Sequence, residues 1–164
     1  MSEWIMSSFM FKRKDLERML ETKLIDIVHE LPKVIAVEED MPIEIFIDSA
    51  KKRKADAAIV IDRKGRISGI VTRLDLLKVL RPVMPHGVRI FSMPLKVRIE
   101  KITIKEIMTP NPIMLPETAR IRDAVDLMNR YRISHVIITD TAGKPKAIIS
   151  RKYVLRKFFG IEEE

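Results

Sequence analysis

Cysteine and glutamine are absent from the 164 residues, asparagine occurs twice, and glycine only five times. The missing cysteine excludes disulfides, thiolate nucleophiles and cysteine-ligated metals together. No glycine-rich loop stands ahead of a lysine, so the common phosphate cradle of nucleotide hydrolases is missing. Aromatic residues make up 5% of the chain, few for a protein that stacks on bases. No hydrophobic run is long enough to span a bilayer. The start, MSEWIMSSFMFKRKDLERML, places its apolar residues ahead of its basic ones, the reverse of a secretory signal, and the expectation is a cytoplasmic protein. The apolar cluster Trp4, Ile5, Met6, Phe9, Met10 and Phe11 lacks a sustained amphipathic period. It is expected to pack on the body or on a second subunit, not on a membrane.

Charge is plentiful: a third of the residues are ionisable and the formal net charge is +8. Together with the scarcity of amides, this composition suits a thermophilic source. Basic clusters stand at Lys12-Arg13-Lys14, at KKRK (51–54) and at SRKYVLRK (150–157), with an acidic tail at the end. Such a balance favours anionic partners. KKRK also fits the solvated last turn of a helix, where cations complement the dipole.

Residues 34–80 repeat in residues 112–158 with one offset, 78, and no gap. Identities fall at Ile35/Ile113, Glu39/Glu117, Ile43/Ile121, Asp48/Asp126, Ile59/Ile137, Asp62/Asp140, Gly65/Gly143, Ile70/Ile148, Arg73/Arg151 and Leu77/Leu155. Each copy reads as strand, helix, strand, strand, helix. Ile43, Phe46, Ile47 and Ala50, like Ile121, Ala124, Val125 and Met128, trace one apolar helical stripe. AAIVID and HVIITD are apolar enough for strands buried on both faces. Asp62 with Gly65, and Asp140 with Gly143, bracket tight turns in which glycine takes a positive φ. LDLLKVL and KYVLRKFF close the copies as short helices. About fifty residues cannot cover both faces of a sheet, so the copies are expected to pack about a pseudo-twofold axis. The expected organisation is an extension over 1–22, a first repeat over 23–82, a linker over 83–103 and a second repeat over 104–161. The linker's LKVRIEKI alternates and is expected to add an edge strand.

The sequence resembles a tandem pair of cystathionine β-synthase-type (CBS) domains, a Bateman module, over about residues 23–160. The resemblance is carried by IMTPNPIML opening the second copy, by VID…G…SGIVTRLD closing the first, and by the order of elements. It implies an α/β (α+β) fold and a non-enzymatic, regulatory role. An adenine nucleotide, AMP in preference to ADP or ATP, would bind in a cleft between the repeats and report to an effector protein. The family motif G-h-h-[ST]-x-x-D, with h apolar, stands intact as Gly69-Ile70-Val71-Thr72-Arg73-Leu74-Asp75. In that role Asp75 would accept from the ribose hydroxyls, Thr72 would meet the α-phosphate, and Gly69 would let a backbone or ligand approach. The resemblance places the base against Lys33, Val34 and Ile35 and against Ala57 and Ala58. Lys152, and less directly Arg151, would face the phosphate.

The second copy reads Ala147-Ile148-Ile149-Ser150-Arg151-Lys152-Tyr153. A tyrosine cannot chelate a diol, so one competent nucleotide site is expected, not two. Where the family often has proline in the second strand the chain has Ile59 and Ile137, and Asp56 occupies a position that often carries a base. The spacing Thr72-x-x-Asp75 is also a helix capping box, and the two roles are compatible. Of His29, His86 and His135 only His135 lies in an apolar strand, and none has a partner at metal-ligand spacing, so it is read as structural. No nucleophile stands beside a base and no paired carboxylates suggest catalysis. The apolar residues of the closing helices (Leu76, Leu77, Leu80, Val154, Leu155, Phe158 and Phe159) imply a homodimer. The alternative reading is a nucleic-acid-binding protein that uses the basic surface.

Overall fold

A computed structural model describes residues 13–163 apart from 83, 85, 86, 88 and 91. The cluster Trp4 to Phe11 and His86 lie outside the described residues. The chain forms two compact units: residues 33–113, and the residues up to 32 together with those from 114 onward. The class is mixed α+β, with one small sheet in each unit.

In the unit 33–113 the sheet runs in the order β1 (Ala36–Glu38), β2 (Ala57–Ile61), β3 (Ile67–Thr72), β4 (Thr109–Pro110). β1 and β2 are parallel, and β2 and β3 form an antiparallel hairpin. Asp62 shapes that hairpin by accepting from the N–H groups of Lys64 (2.8 Å) and Arg66 (2.9 Å) through one oxygen. Gly65, at φ 75°, takes the left-handed position that glycine adopts at least cost. The crossover from β1 to β2 is the helix Glu44–Arg53. It buries Ile43 and Phe46 completely and leaves its basic last turn, Lys51 to Arg53, exposed, where those charges complement the dipole.

The other unit repeats this plan with β5 (Met114–Pro116), β6 (His135–Thr139) and β7 (Pro145–Ser150) around the helix Ile121–Tyr131. Gly143 takes φ 78°, and Asp140 accepts from the N–H groups of Ala142 and Lys144 at 2.8 and 2.9 Å. Even the irregularities recur at the offset of 78. Both hairpins shift register, between Val60 and Ile61 and between Ile138 and Thr139. Both crossover helices end on a left-handed non-glycine residue, Lys54 at φ 52° and Arg132 at φ 54°.

One expectation from the sequence is corrected. LKVRIEKI adds no strand: Leu95–Lys101 is a helix with Pro94 at its N-cap. Arg98 turns back to donate to the carbonyls of Met93 (2.7 Å), Val79 (2.9 Å) and Arg81 (3.3 Å). The fourth strand is instead Thr109–Pro110, opposite Ile70 and Gly69. LDLLKVL lies in the expected short helix, which spans Arg73–Leu80 and is of the 3-10 type.

The segment ahead of each family-like stretch also follows a rule. Ile104 and Lys105 donate their N–H groups to the carbonyls of Met41 and Glu39 at 2.8 and 2.9 Å. Leu24 and Ile25 do the same to Ala119 and Glu117 at 2.8 and 2.9 Å. So the short helix Ile104–Ile107 belongs to the core built from the first copy, where Ile102, Ile104 and Ile107 pack with Phe46, Val60 and Val71. Residues 24–31 belong to the unit of the second copy, with Leu24, Ile27 and Leu31 buried.

Candidate functional site

Parallel pairing of β1 with β2, and antiparallel pairing of β2 with β3, bring three chain positions to one end of the first sheet. These are the start of β1, the start of β2 and the end of β3. Ala57 lies opposite Thr72, and Ala58 opposite Val71. Ile35 offers its carbonyl to the Ile59 N–H at 2.8 Å, which fixes Lys33, Val34 and Ile35 alongside the same end. Ala58 is fully buried in the core with Val37, Val60 and Val71 and so does not line a slot for a base as the resemblance implied. Ala57, Val34 and Ile35 are half-buried, and Lys33 is exposed.

Thr72 ends β3 and caps the helix that follows. Asp75, nearly buried, returns one oxygen, Oδ2, to Thr72, accepting from its backbone N–H (2.8 Å) and its hydroxyl (3.1 Å). An ionised carboxylate only accepts, so the Thr72 proton points at Asp75 and not at a phosphate, against the role the resemblance implied. The hydroxyl oxygen accepts from the Asp75 backbone N–H in the capping box and keeps one lone pair for another donor. The second oxygen, Oδ1, accepts from Lys78 Nζ at 2.7 Å. Each carboxylate oxygen has about two acceptor positions. Oδ2 is therefore filled and Oδ1 has one left. The arrangement can take one diol hydroxyl on Asp75 Oδ1 and a second on Thr72 Oγ1.

Gly69 sits where β4 crosses β3. A Cβ there would come within 2.6 Å of Met108 Sδ and 2.9 Å of the Thr109 carbonyl oxygen. The methionine can bend away; the carbonyl belongs to the paired strand and cannot. The corresponding residue of the second copy, Ala147, lies in a strand of a three-stranded sheet ordered β5-β6-β7, so its methyl is tolerated. Gly69→Ala is expected to destabilise the protein by about 1–3 kcal/mol, the usual cost of overpacking. A lowered midpoint of denaturant unfolding with an unchanged slope would show it.

Arg73, inside the motif, turns away from Asp75. Its Nε donates to the Ala55 carbonyl at 2.9 Å and lies 3.4 Å from Asp56 Oδ1. Its backbone N–H donates to the Asp56 carbonyl at 3.1 Å. Arg73 and Asp56 thus tie the loop ahead of β2 to the end of β3.

The second copy's motif lies in the other unit. Ser150 accepts from the Tyr153 N–H at 3.2 Å, and Lys152 is half-buried in the first turn of the last helix. Arg151 approaches Glu163 at 3.2 Å. Tyr153 is buried and donates its hydroxyl to Glu30 at 2.6 Å, while Lys157 reaches the same carboxylate at 3.0 Å. These bonds hold the Glu30 carboxyl below its ordinary range, the Tyr153 hydroxyl contributing most. Burial, followed by the Glu30 contact, pushes the Tyr153 phenol upward. Where the first copy pairs Asp75 with Lys78, the second has Tyr153 with the Arg156 guanidinium 5.9 Å from its ring centroid. The place of the Asp75 carboxylate is taken by an aromatic ring whose hydroxyl is already bound to the chain's own Glu30.

Sequence reasoning did not place Lys78 in this site. Its signal was the i, i+3 spacing from Asp75, which is also that of an ordinary surface ion pair. Among the described residues no three histidine or acidic side chains gather to hold a metal ion. No described helix is long and apolar enough to cross a membrane.

Comparison with known proteins identifies the family and the fold. The description "CBS domain" matches residues 25–82 and 104–160. An uncharacterized protein of Methanocaldococcus jannaschii is 24% identical over 74% of this chain and 83% of its own length. Arabinose 5-phosphate isomerase KpsF of Escherichia coli is 26% identical over 82% of this chain, which spans only 36% of the isomerase. Among solved structures, the CBS domain of a CBS domain-containing membrane protein from Sphaerobacter thermophilus superposes with a TM-score of 0.71, at 21% identity, over 88% of this chain and 93% of that one. The CBS domain pair of protein MJ0100, in complex with 5'-methylthioadenosine and S-adenosyl-L-methionine, gives 0.64 at 25% identity, over 85% and 97%. CBSX2 in complex with AMP gives 0.61 at 19% identity, over 82% and 94%. With both repeats matched and the strand-helix-strand-strand-helix plan present twice, the chain belongs to the CBS domain family.

Proposed function

We propose that this protein is a non-enzymatic regulatory module that senses an adenine nucleotide, AMP in preference to ADP or ATP, at the site carried by the first copy. One observation carries the reading. Ile35, Ala57, Thr72 and Asp75 come to one end of one sheet, a small residue beside a carboxylate and a hydroxyl. Ala57, half-buried, leaves space for a flat ring, and Asp75 Oδ1 with Thr72 Oγ1 supplies two acceptors for a ribose diol. The family relationship adds weight, since MJ0100 is solved with two adenosine derivatives. The preference for AMP rests on Asp56, a carboxylate bound to Arg73, at a position where a base would welcome further phosphates.

The test is a thermal-shift panel of AMP, ADP, ATP, S-adenosylmethionine, GMP and a short DNA duplex. A ligand that binds only the folded form adds about 2.7 kcal/mol at a hundredfold excess over Kd. The largest shift is expected from AMP. Guanine brings an exocyclic amine that an apolar slot leaves unpaired. A shift from the duplex alone, steeply lost with salt, would replace this reading with nucleic-acid binding through the basic surface.

We further propose that the module is a homodimer. Leu74, Leu77 and Leu80 are 74%, 57% and 62% exposed. They recur every third residue on a 3-10 helix, whose three residues per turn align them in one stripe. Light scattering is expected to return twice the mass of one chain, and the mass of a single chain across a wide concentration range would refute it.

A further inference from the structure

We infer that Lys78 is a member of the nucleotide site: its ammonium cancels the charge of Asp75 and so lets a phosphorylated ribose bind where a bare nucleoside would otherwise be favoured. The inference rests on the adenine-nucleotide reading above. Its ground is a conflict in that site. Asp75 is the natural partner of a ribose diol, yet a carboxylate repels the phosphate joined to the same sugar, and the repulsion is strong where water is scarce. The Asp75 side chain is only 9% exposed, so solvent screens it poorly.

Lys78 answers that conflict in its geometry. Its Nζ donates to Asp75 Oδ1 at 2.7 Å and to the Ile107 carbonyl at 2.7 Å. Two anchors on different parts of the chain hold the cation in place, in contrast to a mobile surface lysine. With a side chain 33% exposed, it stays open enough for its third N–H to meet a ligand or water. The pair is neutral as a whole, and Asp75 still presents one acceptor position on Oδ1. Lys78 thus adds little to recognition of the sugar itself and decides how much phosphate the site tolerates.

The experiment is titration calorimetry of adenosine and AMP on the full chain and on Lys78→Met, Lys78→Gln and Lys78→Arg. Methionine keeps the apolar stem; glutamine also keeps a donor for Asp75 and Ile107, which protects the fold if the methionine variant fails. The expected result for either neutral variant is about tenfold weaker AMP binding, with adenosine unchanged within about twofold. Lys78→Arg should restore the wild-type ratio of the two affinities. Equal changes for adenosine and AMP, or no change in either, would overturn the role of Lys78 while leaving the site standing. If wild-type protein binds neither ligand, the nucleotide reading itself fails, and this inference with it.

Discussion

Asp75→Asn is expected to weaken AMP binding by about tenfold to 150-fold, or 1.5–3 kcal/mol, the range for hydrogen bonds to a charged group. The amide keeps the size of the side chain but turns one acceptor into a donor. Oδ2 serves Thr72 and Oδ1 is shared with Lys78, so no spare oxygen can take over. The variant also leaves Lys78 without its counter-charge beside the Ile107 carbonyl, and a loss of about 1–3 kcal/mol in stability accompanies the binding defect. Binding must therefore be read well below the melting temperature of the variant. Tyr153→Phe is the control. It removes the hydroxyl from Glu30 in the other unit and should leave AMP affinity unchanged within about twofold. Equal losses from the two variants would show that both copies bind ligand.

Ile104→Ala is expected to cost about 2–5 kcal/mol, as large a loss as any single truncation in the core. The residue is fully buried among Phe46, Val60 and Val71, although it falls more than twenty residues beyond the closing helix of the first copy. Its backbone is fixed as well, since its N–H meets the Met41 carbonyl at 2.8 Å and Thr103 and Glu106 cap its short helix. Chemical denaturation would measure the loss. A cost below about 0.5 kcal/mol, typical of surface positions, would contradict the assignment of residues 102–107 to the first core.

The fold was legible wherever its cause is local. Asp62 with Gly65, and Asp140 with Gly143, announce hairpin turns because only certain side chains accept that backbone. The stripe from Ile43 to Ala50 announces the crossover helix for the same kind of reason. What escaped was set by contacts between distant stretches. Leu24/Ile104, Ile27/Ile107 and Pro32/Pro112 repeat at an offset of 80 rather than 78, so an ungapped alignment of the copies stops short of them. Their hydrogen bonds to Ala119 and Met41 span long separations that no local pattern reports. Residues 95–101 misled for the opposite reason. A strict alternation suggested a strand, but the segment is a helix whose Arg98 gathers the carbonyls of Met93, Val79 and Arg81.

The site divides along the same line. The capping pair Thr72 and Asp75 could be named from the motif, and the tyrosine at position 153 was visible as a single letter, but that Ala58 lies in the core was not. Lys78 could not be separated from a solvated charge, because its bond to the Ile107 carbonyl appears only once residues 104–107 are folded beside it. The occupant of the second copy's position was equally hidden: Glu30 reaches Tyr153 across more than a hundred residues.

Titration calorimetry of AMP into the intact protein tests the central claim most directly, because it reads affinity and stoichiometry together. One AMP per chain is expected, with the heat lost in Asp75→Asn and retained in Tyr153→Phe. Two equivalent sites per chain, or no binding at millimolar AMP, would contradict a single adenine-nucleotide site built on Thr72 and Asp75.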